Sequence, residues 1–384
     1  MTGSALQEYL LEVIDADEPR RGILPTSIRG GLSLLSNLYD VGLNGYLGLE
    51  TAGLRRRERL PVPVLSIGNL TVGGTGKTPM AQYICRELVS RGHRLALLSR
   101  GHGGKKLPVQ VVSDGEGIVL VGPDDAGDEP VLLAQSLPSV PVFVGKDRRI
   151  TGREALRRHG LDAIVLDDGL QYWQLIRDLD VVLLDSSCPF DNGRTLPRGL
   201  LREPVEHLNR AGVAVFTRSE SLKDSDRERL QEIVRQHAPE AAVFFARHSP
   251  THLIRLGFED KTQVPVDALR GVPVLALSGI AQPEAFRRSL QDEAGCRVVH
   301  AVDWVDHHKI VPDDVAHAAA LAQSSGAEAI VMTEKDAVKW EACVRTLKTS
   351  PTIPVYALSI SMQIDRPEKF MDTLTTRLFG EAKS

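Results

Sequence analysis

Cysteine is scarce. The four in 384 residues, Cys85, Cys188, Cys296 and Cys343, stand far apart with no Cys-x-x-Cys pair. That spacing argues against a disulfide framework or a structural zinc and fits a reducing cytoplasm. Aromatic residues make up only 5% of the chain, and no basic tail or RNA-binding aromatic signature is present. The 46 Lys and Arg are outweighed by 50 Asp and Glu, for a net charge of −4, so nucleic acid is not an expected partner. No uninterrupted apolar run is long enough to span a bilayer. The first residues carry Glu8, Glu12, Asp15, Asp17 and Glu18 where a secretory signal would carry positive charge before an apolar core, so no such signal is expected. The remaining balance, 42% hydrophobic and 25% charged, is that of an ordinary globular chain with room for two cores.

Against this background one stretch stands out. Gly68-Asn69-Leu70-Thr71-Val72-Gly73-Gly74-Thr75-Gly76-Lys77-Thr78-Pro79 follows the apolar run Val62–Ile67 and precedes a helical pattern from Met80 to Leu88. Strand, glycine-rich loop, Gly-Lys-Thr and helix is the arrangement that cradles a nucleotide triphosphate. The backbone of Thr71, Val72, Gly73, Gly74, Thr75 and Gly76 turns N–H groups toward phosphate oxygens, and the helix N-terminus adds positive charge. Lys77 reaches the β- and γ-phosphates, and the Thr78 hydroxyl ligates Mg²⁺. The pattern departs from the strict motif only in having Thr71 where the first glycine stands.

Beyond the loop, near-continuous apolar strands alternate with helices: strands at 94–99, 141–144, 161–166, 179–185 and 212–217, with helices at 148–159 and 225–237. That pattern implies a parallel sheet covered on both faces. Two extended segments, 243–246 and 252–256, then read as a linker. A second α/β series follows, with strands at 272–277, 297–300, 329–333 and 354–358 and helices at 283–294, 312–324, 335–347 and 367–379. The expected organisation is an N-terminal extension with an amphipathic helix (1–60), a P-loop domain (61–240), a two-stranded linker (241–260) and a smaller α/β domain (261–384).

In such sheets reactive groups gather at the carboxyl ends of strands. Asp167-Asp168 follows Ala163–Leu166 in the manner of a Walker B pair, which holds Mg²⁺; the alternative is an acidic helix cap. Gly127-Asp128-Glu129-Pro130 lies on a loop before the helical stretch 131–135 and reads by itself as a helix cap, with proline in the first turn. Arg202-Glu203-Pro204 follows a glycine- and arginine-rich loop, 192–199, suited either to anions or to a solvated turn. Asp306-His307-His308 precedes a helix, where His307 either shares a proton with a carboxylate or decorates a turn. Thr333-Glu334-Lys335-Asp336 closes a strand without the spacing that reads guanine.

Upstream, Leu32, Leu34, Leu35, Leu38, Tyr39, Val41, Leu43, Tyr46, Leu47 and Leu49 form an apolar helical face, followed by Arg55-Arg56-Arg57-Glu58-Arg59. An interfacial helix beside anionic headgroups and a helix packed on its own core fit this pattern equally.

Taken together, Gly68–Pro79, Ser99-Arg100-Gly101, Ala126–Pro130, Asp167-Asp168-Gly169-Leu170-Gln171, Asn192-Gly193-Arg194, Leu201-Arg202-Glu203-Pro204, Asp306-His307 and Val331–Lys339 resemble, in order, the motifs of the tetraacyldisaccharide 4′-kinase family, the lipid A 4′-kinases of Gram-negative-type bacteria. A loop beginning with threonine is that family's form. The resemblance implies ATP- and Mg²⁺-dependent phosphorylation of the 4′-hydroxyl of a tetraacylated glucosamine disaccharide 1-phosphate. It implies Asp128 as the base, His307 as its partner, and Lys77 on the phosphates. Thr78, Asp167, Asp168 and Glu203 would form the Mg²⁺ neighbourhood, with Gln171 nearby, and Arg148 and Arg202 would balance phosphate or substrate charge. It also implies a monomer, peripheral on the cytoplasmic face of the inner membrane through its N-terminal helix.

The chain departs from the family pattern at Tyr172-Trp173, where histidine is usual, at His102, at Arg198 in place of a small residue, and in the length before Ile28. Two other classes compete. A partitioning or switch ATPase would carry lysine where Val72 stands. A ligase-like P-loop enzyme acting on a soluble carboxylate would have no use for the apolar helix.

Overall fold

The computed structural model describes residues 23–54, 56–102, 104–105, 107–257, 261–306, 308–347 and 353–380. The elements run α1 (Ile23–Thr51), β1 (Val64–Asn69), α2 (Lys77–Ser90), β2 (Leu95–Ser99), β3 (Gln110–Ser113), α3 (Pro123–Ala126), α4 (Asp128–Ser136), β4 (Val142–Val144), α5 (Arg148–Arg158), β5 (Ala163–Asp167), β6 (Leu179–Asp185) and β7 (Val213–Thr217). They continue through α6 (Asp224–His237), β8 (Ala242–Leu256), β9 (Lys261–Pro265), β10 (Pro273–Ser278), α7 (Pro283–Arg288), β11 (Arg297–Asp303), α8 (Pro312–Ser325), β12 (Ala329–Thr333), α9 (Glu334–Leu347), β13 (Val355–Ile364) and α10 (Pro367–Phe379). The α/β class expected from the sequence is the class found.

One compact unit holds the chain up to Thr75, Asp168–Ala246 and the chain from Ile364 onward. In it β1, β6, β7 and the start of β8 pair in parallel, with Leu65 opposite Leu179, Val181 opposite Val213, and Val213 opposite Ala242. Every residue of β1 and β7 is buried, as cover on both sheet faces requires. Leu70, Leu170, Leu184, Leu201, Phe216 and Phe245 belong to one core, in which Phe216 and Phe245 stack with centroids 5.4 Å apart. Each such side chain contributes roughly 1.5–3 kcal/mol on burial. From α10, Phe370 meets Phe244 edge-on at 5.1 Å.

Helix α1 lies along the segment 195–207 of the same unit. The Ser36 hydroxyl is 2.7 Å from Thr195 Oγ1, Tyr39 Oη donates to the Arg202 carbonyl at 2.7 Å, and Asn44 Oδ1 is 3.3 Å from His207 Nε2. At 100° per residue, Arg29, Asp40, Leu43 and Leu47 share the face of Ser36, while Leu34, Leu38, Val41 and Leu49 line the opposite face. Those four are 62, 59, 71 and 47% exposed. The helix carries Gly30, Gly31, Gly42, Gly45 and Gly48, each costing about 0.8–1 kcal/mol relative to alanine, so its helicity depends on its contacts. No helix among the described residues is long and apolar enough to cross a membrane.

The second unit comprises Gly76–Asp167 and Arg247–Gln363. In it β5, β2 and β4 run parallel and β3 closes the edge antiparallel. A further group, β11-β10-β12-β13, is also parallel. Alternation along β10 divides its residues between two cores. Leu275 and Leu277 join Ile330, Met332 and Trp340, whereas Val274 and Ala276 join Val331, Phe286 and Leu290.

Several details differ from the sequence reading. The two segments expected around 241–260 are one continuous strand, β8, because its polar middle keeps pairing: Arg247 Nε donates to Gln363 Oε1 at 3.0 Å and Thr251 Oγ1 to the Ser359 carbonyl at 3.4 Å. Its far end pairs antiparallel with β9. The helix expected over 283–294 ends at Arg288 and continues as a π-turn, Ser289–Glu293. The compact units break at 75/76, 167/168, 246/247 and 363/364, so residues expected in separate domains, such as Asp128 and Lys335, share one unit.

Gly68 on β1 is set by close approach. A Cβ there would lie 2.5 Å from Leu170 Cβ. Gly68→Ala is expected to cost about 1–3 kcal/mol through overpacking and to lower the melting temperature by about 2–4 °C for each kcal/mol. Thermal denaturation followed by circular dichroism measures this, and an unchanged midpoint would refute the close contact.

Candidate active site

The loop Leu70–Gly76 leaves a fully buried strand and enters α2 at Lys77. Gly73 (φ 113°) and Gly76 (φ 84°) occupy the left-handed side of backbone space, which lets a loop turn its N–H groups inward. Backbone hydrogen bonds from Val72 N–H to the Leu200 carbonyl (2.7 Å) and from Arg202 N–H to the Leu70 carbonyl (2.6 Å) hold the start of the loop. The Thr75 hydroxyl is buried with no hydrogen-bond partner among the described residues, a polar atom open to an acceptor from a ligand. These features fit a bound triphosphate.

Arg218, which the sequence reading passed over, follows β7 in the left-handed region (φ 58°). It donates to the Gly74 carbonyl and pairs with Asp185. Burial pushes its guanidinium below the usual arginine value, with Glu220 opposing. Its position just past a buried strand was the signal available in the sequence.

Asp167 ends β5, 3% exposed, and accepts a hydrogen bond from Ser99 Oγ at 3.4 Å. Thr78 stands in the first turn of α2, which packs on β5. A hydroxyl and a carboxylate are the hard oxygen donors that Mg²⁺ takes alongside phosphate and water. Among the described residues no group of three or more His, Cys, Asp or Glu is gathered to hold a metal by itself.

Asp168 and Glu203, also expected near the metal, are engaged by cations. Arg202 Nη1 donates to both Asp168 oxygens, at 2.8 and 3.0 Å, and to Gln171 Oε1 at 3.1 Å. Glu203 is 1% exposed. Its Oε1 accepts from Arg210 (2.7 Å) and Gln171 (2.8 Å), and its Oε2 lies 2.9 Å from His207 Nδ1. Burial favours the neutral acid, but His207, Arg210 and Gln171 outweigh it and hold Glu203 below the ordinary carboxylate range. Trp173 completes this cluster, with Arg210 4.2 Å, Arg177 5.6 Å and Arg57 5.9 Å from its ring centroid, an arrangement that favours cations on the indole face. Arg59 pairs with Asp178 at 2.7 Å. Part of the basic stretch after α1 is therefore used internally, which narrows its expected role toward headgroups.

In the second unit, Gly127 (φ 94°) precedes α4, and a Cβ there would lie 2.4 Å from the His102 carbonyl. The 99–102 turn and the start of α4 are thereby locked together. Asp128 is the first helical residue rather than part of the preceding loop, 8% exposed, with Oδ1 accepting from the Glu129 N–H at 3.0 Å. Lys339 Nζ lies 4.0 Å from Asp128 and 2.9 Å from Asp336. Lys335 Nζ lies 3.3 Å from Glu129 and 3.2 Å from Asp306. Burial works against the Lys335 charge, but Glu129, Asp128 and Asp306 raise it above the ordinary lysine value. Asp336 accepts from the Gly279 N–H (2.9 Å) and Thr333 Oγ1 (2.6 Å), while burial raises Glu334 against the Ser359 hydroxyl that donates to it. The segment Thr333–Lys339 thus directs Lys335 and Lys339 toward the start of α4. Arg148 opens α5, 5% exposed, and donates to the Lys146 carbonyl at 3.0 Å. His307 lies outside the described residues. Beside it, His308 stacks on Trp304 at 5.3 Å and contacts Asp314 at 2.9 Å.

A glycine loop between a buried parallel strand and a helix, with lysine and threonine at the helix start and an aspartate ending a second strand, defines a P-loop nucleotide-dependent enzyme. The family model for tetraacyldisaccharide-1-P 4′-kinase matches residues 29–379, and the chain belongs to that family. A tetraacyldisaccharide 4′-kinase from Syntrophus aciditrophicus (strain SB) is 38% identical over 373 residues, covering 94% of this chain and 96% of its own. One from Anaeromyxobacter sp. (strain Fw109-5) is 43% identical over 311 residues, covering 80% and 81%. The crystal structure of LpxK from Aquifex aeolicus in complex with ATP matches with a TM-score of 0.70 at 29% identity, covering 91% of this chain and 99% of that one.

Because Glu203 is held ionised, its contribution to stability is complete above the ordinary carboxylate pKa of about 4.3 and is lost as pH falls through the lowered folded value. Glu203→Gln is expected to destabilise the protein by about 3–5 kcal/mol at pH 7, by removing the buried charge that Arg210 pairs with at 2.7 Å, and to flatten the acid side of the stability curve. Urea titrations at pH 4 and pH 7 measure both effects, and equal loss at the two pH values would refute the assignment.

Proposed function

We propose that this chain transfers the γ-phosphoryl group of ATP to the 4′-hydroxyl of a tetraacyl glucosamine disaccharide 1-phosphate in lipid A biosynthesis. The observation that carries the reading is the family match over residues 29–379 with the phosphate loop Thr71–Thr78 intact inside it. Phosphoryl transfer needs positioning and charge neutralisation more than covalent catalysis. Lys77 and the loop N–H groups bind the phosphates. Thr78 and Asp167 hold Mg²⁺, which when bound offsets charge on the β- and γ-phosphate oxygens. Asp128 accepts the proton of the acceptor hydroxyl as the new O–P bond forms and the bond to ADP breaks.

We assign His307 as the partner of Asp128. Support comes from Lys335, whose ammonium lies between Glu129 and Asp306, the immediate chain neighbours of those two residues. Lys339 is a positioning residue that the sequence reading did not single out. Arg148 and Arg202 balance acceptor or phosphate charge, Arg202 being oriented by Asp168 and Gln171, and we place Glu203 beside the metal as a positioning group through Gln171. We retain 61–240 and 261–384 as the kinase and smaller domains, 241–260 as their linker, and a monomer as the working unit.

The exposed face of α1 supports a peripheral position on the cytoplasmic face of the inner membrane. Each leucine entering an apolar phase adds roughly 1.5–3 kcal/mol.

Asp128→Asn is expected to lower kcat by about 10²–10⁴ while ATP binding persists. Transfer from radiolabelled ATP to the glycolipid in micelles measures this, and near-normal turnover would remove Asp128 as the base. Leu34→Glu/Leu38→Glu is expected to abolish co-flotation with phospholipid vesicles while leaving the melting temperature unchanged; flotation equal to wild type would refute the interfacial role of α1.

A further inference from the structure

The two oxygens of the buried Asp336 carboxylate have different tasks. Oδ2 accepts from the Gly279 N–H at 2.9 Å and from Thr333 Oγ1 at 2.6 Å. Oδ1 takes neither; it lies 2.9 Å from Lys339 Nζ, three residues on along α9. Among the described residues neither that oxygen nor that ammonium makes a directed hydrogen bond, so charge alone holds the pair. Lys339 Nζ also lies 4.0 Å from Asp128 Oδ2. One ammonium is thus shared by two carboxylates, nearer to Asp336 than to Asp128. The Lys339 side chain is 10% exposed and that of Asp336 not at all, so water and salt screen these charges little.

Other charges near the start of α4 are engaged elsewhere. Lys335 lies between Glu129 and Asp306, at 3.3 and 3.2 Å. From α3, Asp124 and Asp125 pair with Lys309 and Lys105. Arg86 of α2 reaches only the far end of α4, at the Ser136 carbonyl, and the 99–102 turn meets Gly127 through the His102 carbonyl. Lys339 is the cation of this group that forms an ion pair with Asp128 itself.

A carboxylate that acts as a base must be ionised and must keep a lone pair free for the incoming proton. A nearby cation secures the first condition. A cation in hydrogen-bond contact defeats the second and weakens the base. Asp336 draws the Lys339 ammonium away from such contact, and its own position is fixed by Gly279 and Thr333.

We propose that Asp336 tethers Lys339 so that its ammonium keeps Asp128 ionised while leaving the Asp128 oxygens open to the acceptor hydroxyl. This rests on the kinase reading and deepens it by naming how the base is tuned. Lys339 and Asp336 are positioning residues that act through Asp128.

The test reads Asp128 directly. Full-length protein is labelled with carbon-13 at aspartate Cγ, and the signal lost in Asp128→Asn assigns that residue. Its titration midpoint is followed by NMR in wild type, Lys339→Met, Lys339→Arg and Asp336→Asn. Lys339→Met removes the cation and is expected to move the midpoint up by about one to three pH units. Asp336→Asn keeps an acceptor for Gly279 and Thr333 but releases the ammonium toward Asp128, and is expected to move the midpoint down. Lys339→Arg should restore a midpoint close to wild type. Radiolabelled phosphoryl transfer to the glycolipid, assayed in parallel, should show the acid limb of kcat moving in the same directions with the KM for ATP unchanged. An unmoved midpoint in Lys339→Met, or shifts of the same sign in Lys339→Met and Asp336→Asn, would overturn the tether. Should Asp336→Asn not fold, a midpoint raised in Lys339→Met and restored in Lys339→Arg supports the proposal, and any other pattern overturns it. The NMR midpoint needs no lipid, so it judges the tether, whereas absence of transfer by wild type would overturn the kinase reading.

Discussion

The hydrogen bonds that join Leu70 and Val72 to Arg202 and Leu200 are the constraint on which the first unit depends. A phosphate loop works only if its N–H groups are aimed before the ligand arrives, because hydrogen bonds reorganised on binding give back much of their value. Two backbone bonds attach this loop to a segment that is itself immobilised three ways: by the buried Glu203 with Arg210, Gln171 and His207, by Arg202 on Asp168, and by Ser36 and Tyr39 of α1. The helix with its outward leucines and the loop that receives the nucleotide are thus mounted on one stretch of chain.

The second unit applies the same economy with lysines. Asp336, fully buried, accepts from Gly279 and Thr333 and ion-pairs with Lys339, and this fixes the start of α9. From that base Lys335 and Lys339 reach toward Glu129 and Asp128. Lys339 stands 4.0 Å from Asp128, beyond hydrogen-bond distance, and so attracts that carboxylate without capturing it.

Much of this was legible in the sequence because the signals are local. Val64–Ile67 before the glycine loop, Ala163–Asp167, and the helices opened by Arg148, Pro312 and Pro367 follow directly from apolar runs and capping chemistry. Four-residue β3 and the polar β9 carried no such signal, and the continuity of β8 depends on partners more than a hundred residues away, at Ser359 and Gln363. The same limit applied to function. Asp167 and Asp168 look equivalent in sequence, yet one ends a buried strand and the other is paired to Arg202. The partners of Glu203 carried no signal either: His207 and Arg210 lie four and seven residues on, in a 3₁₀ turn with no motif of its own. Arg218 is a single residue at a strand end, and only its proximity to Gly74 gives it weight.

The five glycines of α1 carry a consequence for how the protein meets lipid. A helix burdened by about 4–5 kcal/mol of unfavourable propensity is held in shape by the few polar contacts along Ser36, Tyr39 and Asn44, while its outer leucines gain nothing in water. An acyl phase that accommodates those leucines favours the coiled conformation over the frayed one and so acts as a folding ligand. Wherever α1 met such a phase, adsorption and local ordering would form a single equilibrium.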